Sequence, residues 1–591
     1  MPIEGGETIY YIYVMKNIFP FFSIKRILLF GALIISLDAC SNSEMELDVT
    51  VSTEGLETSL VDEKNDSSSS AVSSSSLEKE EDDSSSSAVS SSSSEEGDGS
   101  SSSAVSSSSS EEGDDSSSSV MSSSSEKILH PVLQTVSFSK NIDDPVKDVL
   151  CEIRKDSIVE CFAKKVFEGD SLAADITFEG DSVLFSGERV SAEKAQIKLA
   201  DKSDIVVYMN SEKKNYTVRF YPYTNLPYIS VEVKDGSDIV NKKDYKDADV
   251  RVWNDEQNNY QLVKCQVKGR GNSTWMNPKK PYRLKCYNKF SPYSFPADKS
   301  WVLLANHYDK TMARNALAYY ISSLSIAPYT PRTHFVELVL NGEHLGTYQI
   351  ADKLQVDKNR VNIDKKDFLL EPDNHPSSSD ISFTVEHLTR PVKIHNPDVA
   401  EGDEDYNYVK NAVQKIDSVL FSDNFLDPDE GYKKYVDLPS LVEWFVVTEI
   451  VKNPSNRSNW YMTYEREGKL KMGPFWDYDL AFANSLWLAE ANLTEGFLME
   501  IVPWFTQILK DPEFIQMAKE RFNYFYSYKN DIIAYLDETV QQIRLSASIN
   551  NEIWDVFEGQ EFSSSYDGEV EFTKQWILDR FEWLKGAFQE L

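Results

Sequence analysis

Two aspartates separated by a single residue are the clearest candidates for chemistry in this sequence. Asp477 and Asp479 lie in the segment 473–482, Gly-Pro-Phe-Trp-Asp-Tyr-Asp-Leu-Ala-Phe, which the pattern predicts to be the end of a strand. Residues two apart on an extended strand share a face, so both carboxylates could bind one hard cation such as Mg²⁺ through oxygen. Two aspartates that only form a turn or a helix cap are the plainer interpretation of the same spacing.

A second segment places positive charge beside glycine. The stretch 268–285 begins Lys-Gly-Arg-Gly-Asn-Ser-Thr-Trp and ends Pro-Lys-Lys-Pro-Tyr-Arg-Leu-Lys. Gly269 and Gly271 let the backbone approach a ligand, and backbone amides together with cations are what a polyphosphate needs. A glycine β-hairpin with solvated lysines is the alternative. The six cations of the stretch are Lys268, Arg270, Lys279, Lys280, Arg283 and Lys285.

The elements around these segments predict an α+β fold. Residues 227–370 are rich in strand patterns, with one helix near 311–323, and residues 371–591 are mainly helical. A β-rich lobe followed by a helical lobe places any cleft between the two lobes. The predicted helices of the second lobe cover 405–421, 438–452, 503–527, 528–548 and 573–591.

Two further regions are predicted ahead of these lobes. Residues 128–226 alternate apolar and polar residues between turn signals, which is typical of a small, all-β, immunoglobulin-like sandwich. Within residues 41–127, the stretch 66–126 contains four imperfect repeats of serine runs, an apolar pair and an acidic patch. Such a composition cannot bury enough apolar area to offset its chain entropy, so we expect a disordered acidic polyserine linker.

The first 40 residues predict export. A basic pair at 25–26, an apolar run at 27–37 and Ala39 before Cys40 form the layout of a lipoprotein signal peptide, whose Cys is lipidated and becomes the mature N-terminus. We therefore expect a protein of the cell envelope, at the outer membrane or cell surface, that meets the membrane only through this lipid. An ordinary signal peptide or a transmembrane anchor are the alternatives, although a spanning helix needs about 20 apolar residues.

Cysteine usage and charge add two expectations. An oxidising compartment permits disulfides, so Cys151 with Cys161 and Cys265 with Cys286 are candidate pairs, and four buried thiols are the alternative. The formal net charge of −36 repels nucleic-acid phosphates, which argues against nucleic acid as a partner.

The motifs occur in an order that resembles one known family. After the 268–285 stretch come Leu-Leu-Ala-Asn at 303–306, Asp-Lys-Thr at 309–311 and Arg-Asn at 314–315, and the Trp-Asp-Tyr-Asp segment follows later. The chain resembles the CotH (spore coat protein H) kinase family over about residues 228–490. The resemblance implies an atypical, two-lobed protein-kinase-like fold that transfers the γ-phosphate of ATP to Ser or Thr of exported proteins, with Mg²⁺ or Mn²⁺.

The same resemblance implies roles for particular residues. Asp477 would bind metal as the Asp of the kinase Asp-Phe-Gly motif does, with Asp479 and Asn459 as further metal ligands. Asp477 and Asn459 would form the catalytic pair. The residues implied for binding the nucleotide are Lys268, Arg270, Asn272, Lys280, Arg283 and Lys285.

The loop 453–459 departs from the family pattern. It reads Asn-Pro-Ser-Asn-Arg-Ser-Asn, whereas kinases place an Asp that orients the acceptor hydroxyl about five residues before the metal-binding Asn. Pro454 stands at that place relative to Asn459. At 352 an Asp stands where the family pattern leads us to expect a Glu.

Two other functions therefore stay open beside an active kinase. One is a catalytically degenerate pseudokinase module that binds a partner or serves as a structural element. The other is glycoside hydrolysis by two carboxylates such as Glu449 and Asp477. If the kinase is active, linker serines followed by acid, such as Ser110 before Glu111, are themselves candidate acceptors.

Overall fold

The computed structural model describes residues 129–139, 149–154, 157–163, 171–190, 195–198, 202–254, 259–373, 376–557 and 565–591. The predicted signal peptide with Cys40 and the predicted linker lie outside these residues. Within them the chain is an α+β protein, in which strands dominate before residue 400 and helices dominate after it.

The first described region is all β. Its strands form one continuous hydrogen-bonded sheet in the order β6-β5-β8-β9-β3-β2-β1-β4-β7. Alternation explains the sheet's core, because β1 buries Val136 and Phe138 and leaves Ser137 between them only half-buried. The immunoglobulin-like class of sandwich stays a prediction. The strands are Val132–Ser139 (β1), Val149–Ile153 (β2), Ile158–Ala163 (β3), Ser171–Glu179 (β4), Ser182–Phe185 (β5), Glu188–Val190 (β6), Ala195–Lys198 (β7), Lys202–Met209 (β8) and Glu212–Tyr221 (β9).

An aromatic cluster joins this sheet to the rest of the molecule. The Phe162 ring lies 5.0 Å from Tyr221, 5.0 Å from Tyr228 and 4.2 Å from Trp253, measured between centroids. Offset and tilted aromatic pairs at these distances stabilise an interface beyond the area they bury. The first region is therefore packed against the second, which begins at Tyr228.

The second region is a closed barrel in the order β10-β11-β12-β13-β14-β16-β15. Parallel pairing of β10 with β15 closes it, and Val267, Leu284 and Trp301 fill its interior. A single helix, α1 (Arg314–Ser323), follows β14. The strands are Tyr228–Val233 (β10), Lys246–Asn254 (β11), Asn259–Gly269 (β12), Tyr282–Phe290 (β13), Asp298–Leu304 (β14), Thr333–Leu340 (β15) and Glu343–Asp352 (β16).

The third region combines a small sheet, ordered β18-β19-β17-β20-β21, with seven helices among the described residues. No helix in the described part of the chain is long and apolar enough to span a membrane. The strands are Phe368–Pro372 (β17), Ser382–Phe383 (β18), Val392–Asn396 (β19), Met462–Tyr464 (β20) and Leu470–Met472 (β21). The helices are Glu404–Leu420 (α2), Leu438–Val451 (α3), Ala489–Asn492 (α4), Pro503–Ile508 (α5), Pro512–Ser527 (α6), Lys529–Trp554 (α7) and Tyr566–Glu590 (α8).

Helix boundaries follow from local chemistry. The α3 helix begins where Asp437 accepts a hydrogen bond from the Ser440 amide, and it ends at Lys452, which is left-handed at φ 48°. The prediction of one helix over 503–527 is wrong, because the structure has two helices there, α5 and α6. Asp511 caps the second, and Pro512 has no amide hydrogen with which to continue the first.

Both candidate cysteine pairs are disulfides. Cys151 lies opposite Cys161 on β2 and β3, and Cys265 lies opposite Cys286 on β12 and β13. The second bridge ties together the hairpin that carries the glycine-rich turn. Cross-linking residues 21 apart removes chain entropy from the unfolded state that is worth about 3 kcal/mol.

We expect the double variant Cys265→Ser, Cys286→Ser to lose about 3 kcal/mol of unfolding free energy. Urea denaturation under oxidising conditions measures this loss. The control is the wild type in reductant, which should lose at least as much, since both bridges then open. An unchanged midpoint in the variant would contradict the assignment of a stabilising bridge.

Candidate functional site

A cleft of about 320 Å³ lies between the barrel and the third region. The barrel contributes the turn between β12 and β13 and the segment after β14. The third region contributes β17, β19, the loop after α3 and the segment after β21. The acidic, basic and amide side chains that line the cleft are Arg270, Asn272, Asn306, His307, Asn315, Glu371, Asp373, Lys393, His395, Asn453, Asn459, Asp477 and Asp479.

The turn after β12 is held by glycine geometry. Gly271 has φ +85°, and a Cβ at this position would lie 2.1 Å from the Thr274 hydroxyl oxygen. The Lys242 ammonium donates to the Gly271 carbonyl at 2.7 Å and to the Asn272 side-chain oxygen at 3.3 Å. This anchoring places Arg270 and Asn272 on the cleft wall.

The segment that carries the two aspartates is irregular up to residue 478 and enters a turn at Asp479, so the predicted strand end is wrong. Strand β21 ends at Met472, and Asp477 has the left-handed φ of +71°. Neighbouring polar groups hold this strained residue, because the Asn453 side chain donates to the Asp477 carbonyl at 3.0 Å and the Tyr478 amide donates to the Asn315 side chain at 2.8 Å. Asp477 and Asp479 nevertheless line the same cleft.

Crowding of negative charge sets the electrostatics of the cleft. Asp477 is accessible from the cleft, but the surrounding protein removes enough water to raise its pKa; Arg270 lowers that pKa and Glu371 raises it further. Burial raises the pKa of Asp479 well above its ordinary value, and the charges of Asp477 and Asp309 add to the effect. Two ionised carboxylates in this buried place are therefore costly unless a cation neutralises them.

The loop after α3 supplies amides. Asn459 lines the cleft as the sequence predicted, and so does Ser455, which follows Pro454. Asn453 was not among the predicted site residues. Its side chain is buried, its amide nitrogen donates to the Asp477 carbonyl, and its side-chain oxygen has no hydrogen-bond partner in the structure. A buried oxygen without a partner beside two carboxylates is a candidate ligand for a hard cation.

Strands β17 and β19 bring four more acidic or basic side chains that sequence reasoning missed. The His395 imidazole lies 2.5 Å from a Glu371 oxygen, and the Lys393 ammonium lies 3.7 Å from an Asp373 oxygen. Antiparallel pairing of Glu371 with Lys393 sets these residues side by side. No local motif marks them, because the pairing joins segments about 20 residues apart in a region without glycine or acidic repeats.

A family model described as CotH kinase protein matches residues 267–584, which is more than half of the chain. The chain belongs to this family. All residues that line the cleft fall within the matched span. The α+β architecture fits a kinase-like fold. Among curated proteins, none matches the chain.

Four of the predicted nucleotide-binding cations of this CotH kinase domain do not line the 320 Å³ cleft. Lys268 and Arg283 face each other across β12 and β13, on the outside of the barrel, and Lys285 lies nearby above the Tyr245 ring. Lys280 donates to the Trp275 carbonyl at 2.8 Å. Burial lowers the pKa of Lys268 and Arg283 lowers it further, which marks this face as a place where positive charges crowd.

Glu449 does not belong to the site of the CotH kinase domain. Its carboxylate accepts from the Leu498 and Met499 amides at 2.7 and 2.8 Å and from the Arg580 guanidinium at 3.0 Å. It is fully buried and is absent from the cleft lining. Glycoside hydrolysis by Glu449 and Asp477 is therefore wrong, because the structural contacts of Glu449 occupy its carboxylate. Asp352 is similarly engaged, at 2.8 Å from the Arg332 guanidinium.

Among the described residues, one group of three metal-ligating side chains lies close enough together to share an ion: Glu386, His387 and Asp417. This group lies outside the cleft. Asp417 already accepts from the Trp504 indole at 2.7 Å and lies 2.9 Å from the His387 ring nitrogen. A structural role explains it, and we do not place the metal of the CotH kinase there.

Proposed function

We propose that the chain is a protein kinase that transfers the γ-phosphate of ATP to Ser or Thr of exported or surface proteins. One observation carries the proposal. Asp477, Asp479, Asn453 and Asn459 converge on one cleft, opposite Arg270 on a glycine turn. Phosphoryl transfer needs little beyond positioning and charge neutralisation, and this set supplies both.

The donor set fits a divalent metal. Two carboxylates, the unpartnered oxygen of Asn453 and the amide of Asn459 are all oxygen ligands, which Mg²⁺ and Mn²⁺ prefer. Burial raises the pKa values of Asp477 and Asp479, and a cation bound beside them would favour their ionised forms. When bound, such a metal neutralises charge on the phosphate oxygens. Asn453 is added to the predicted ligands because it also fixes the Asp477 backbone.

The phosphate groups would meet Arg270 and Asn272. The Arg270 guanidinium lies 5.8 Å from the Trp476 ring centroid, so the same residue contacts the segment that carries Asp477. Lys268 and Arg283 continue this positive charge along the outer face of β12 and β13. The Arg283 Nε nitrogen is buried without a hydrogen-bond partner in the structure, which suits a residue that takes an anion.

A tethered pseudokinase that binds a partner is the second candidate. The observation that favours it is the loop 453–459, where Pro454 and Ser455 occupy the place of the catalytic Asp. Neither side chain can take the proton from the substrate hydroxyl as a carboxylate does. Turnover, rather than nucleotide binding, distinguishes the two candidates.

The location forms part of the proposal. Lipidation at Cys40 followed by an acidic linker would hold the kinase domain outside the membrane, in the cell envelope. The two disulfides support an oxidising compartment.

The test is transfer of label from [γ-³²P]ATP to casein by the full chain in detergent, with Mg²⁺ or Mn²⁺. We expect label on casein that depends on the metal and is lost with EDTA. Folded protein that binds ATP but labels neither casein nor itself would overturn the kinase proposal and favour the pseudokinase.

Mg²⁺ is expected to stabilise the protein more at pH 8 than at pH 5. Folding raises the pKa of Asp477 and Asp479, so their ionised forms destabilise the metal-free protein, and the cost grows as the pH rises through the raised values. A cation offsets this cost, whereas protons compete with it at low pH. At 100 times its Kd, Mg²⁺ would add about 2.7 kcal/mol.

Thermal unfolding with and without Mg²⁺, at matched ionic strength, measures the effect at both pH values. His387→Gln, in the group outside the cleft, is the control and should keep the full shift. An equal shift at pH 5 and pH 8 would contradict a carboxylate site with raised pKa values.

A further inference from the structure

An exposed tryptophan stands at the mouth of the polar cleft. Trp487 lines the cleft and yet exposes 58% of its surface, and the adjacent Leu486 exposes 52%. Most of the cleft lining is polar, so this apolar surface is unlike the rest of the site. A large aromatic left in water beside a binding site is a candidate contact for a ligand.

The Trp487 loop is held rigidly. The Ser485 amide donates to the Asn492 side chain at 2.8 Å, and the Leu488 amide donates to the Ser485 hydroxyl at 2.9 Å. Asn484 donates to the Asp479 carbonyl at 2.6 Å, which fixes the loop to the aspartate segment. These hydrogen bonds define the conformation of the loop, and that conformation leaves Trp487 exposed.

A second exposed apolar residue lies on the turn that contributes Ser273 and Thr274 to the cleft lining. Met276 closes the 3₁₀ turn Ser273–Met276 and exposes 79% of its surface. Tyr308 connects this turn to the tryptophan loop, because its hydroxyl donates to the Ser273 carbonyl at 3.3 Å and its carbonyl accepts from Asn484 at 3.0 Å. Tyr308 thus connects the turn that carries Met276 to the loop that carries Trp487.

We propose that Trp487 is a specificity-determining residue that binds an aliphatic side chain next to the acceptor serine of a peptide substrate. This inference rests on the proposed kinase function and names the substrate class. The site would have the charged groups of the cleft at the acceptor hydroxyl and the apolar rim at the neighbouring residue. A Ser-rich peptide with an isolated aliphatic pair combines these two features.

The chain itself contains this sequence type. Ala71-Val72, Ala88-Val89 and Ala104-Val105 each lie within a serine run, and Val120-Met121 occupies the same place in the fourth repeat. Apart from Leu77, these pairs are the apolar residues of the stretch 66–126. A free peptide that copies residues 67–76, Ser-Ser-Ser-Ser-Ala-Val-Ser-Ser-Ser-Ser, is therefore the probe of choice.

The experiment measures peptide binding without ATP, so that it does not depend on turnover. The protein is the full chain with glycine in place of its own aliphatic pairs, and fluorescence anisotropy compares the labelled Ala-Val peptide with a Gly-Gly version. We expect the Ala-Val peptide to bind about 10-fold more tightly, since partial burial of an aliphatic side chain has an effect of this size.

Three variants locate the preference. Trp487→Ala should abolish it, Trp487→Phe should retain most of it, and Leu493→Ala should leave it unchanged, because Leu493 is 55% exposed but lies outside the cleft lining. Equal binding of the two peptides, or a preference that survives Trp487→Ala, would overturn the inference.

Labelling of casein in a parallel reaction separates this failure from failure of the kinase proposal. Label on casein without a peptide preference would contradict the role of Trp487 and leave the kinase proposal standing. A peptide preference without any label would contradict the kinase proposal and leave Trp487 as a residue with which a pseudokinase binds peptide.

Discussion

Asp477→Asn should reduce phosphoryl transfer at least about 100-fold, the cost of removing one group that stabilises charge in a transition state. The change keeps the size of the side chain and removes a carboxylate of the cleft whose charge interacts with Arg270 and Glu371. Initial rates of casein labelling at saturating ATP measure the loss. Transfer within a few-fold of the wild type would show that Asp477 holds no essential metal.

The same variant should not destabilise the metal-free protein. Because folding raises the pKa of Asp477, its ionised form is disfavoured in the folded state, and a neutral amide removes that cost above the unfolded pKa. We therefore expect equal or greater stability in EDTA, together with loss of the Mg²⁺-dependent increase. Such a result, with greater stability and lost metal response in one variant, is expected where a functional residue destabilises the folded protein.

Asp423→Asn is the matched control for charge. Asp423 is exposed in the segment after α2 and lies outside the cleft. It should leave both the transfer rate and the Mg²⁺ response unchanged. If Asp423→Asn lowers transfer as Asp477→Asn does, net charge rather than the cleft is responsible.

The sequence predicted the parts of the site that local motifs mark. Arg270 and Asn272 stand beside glycine, and Asp477 and Asp479 closely follow Trp476; the structure brings these four residues into one cleft. The strand expected at the aspartates was wrong because the left-handed φ of Asp477 depends on contacts with Asn453 and Asn315 from distant segments.

The rest of the cleft depends on pairing that no local signal encodes. Glu371 and His395 meet only because β17 and β19 pair, and their neighbourhood contains no repeated spacing that would indicate a site. The predicted helices were close to the structure because apolar periodicity and caps are local features. Two features of the helices were missed: the break before Pro512, where two helices were predicted as one, and the short helix α4.

Buried ion pairs between distant segments are likewise not predictable from local sequence, and Arg314 is the clearest case. Its guanidinium contacts Asp309 at 2.7 Å, five residues earlier, and Glu569 at 2.9 Å, which lies on α8. It also donates to the Ala481 carbonyl at 3.1 Å, two residues after Asp479. One side chain thus joins α1 of the barrel region, the aspartate segment and the last helix.

Arg314→Met should therefore destabilise the protein by about 3–5 kcal/mol, the cost of leaving buried charges without their partner. Asp309 and Glu569 would both remain in the interior, so the loss exceeds that of the packing alone. Urea denaturation measures the change in unfolding free energy. Transfer should fall as well, because the Ala481 contact that positions the aspartate segment is lost.

Arg544→Met provides the matched control, because the partners of Arg544 and Arg314 lie on the same helix, α8. Arg544 pairs with Asp567 of α8, but the side chains are 47% and 69% exposed. Water screens such a pair, so its removal should change stability by no more than about 1 kcal/mol. Comparable losses in the two variants would mean that attachment of α8 in general, rather than the buried charge network of Arg314, stabilises the lobe. A loss confined to Arg314→Met would identify that network as the link between the fold and the aspartate segment.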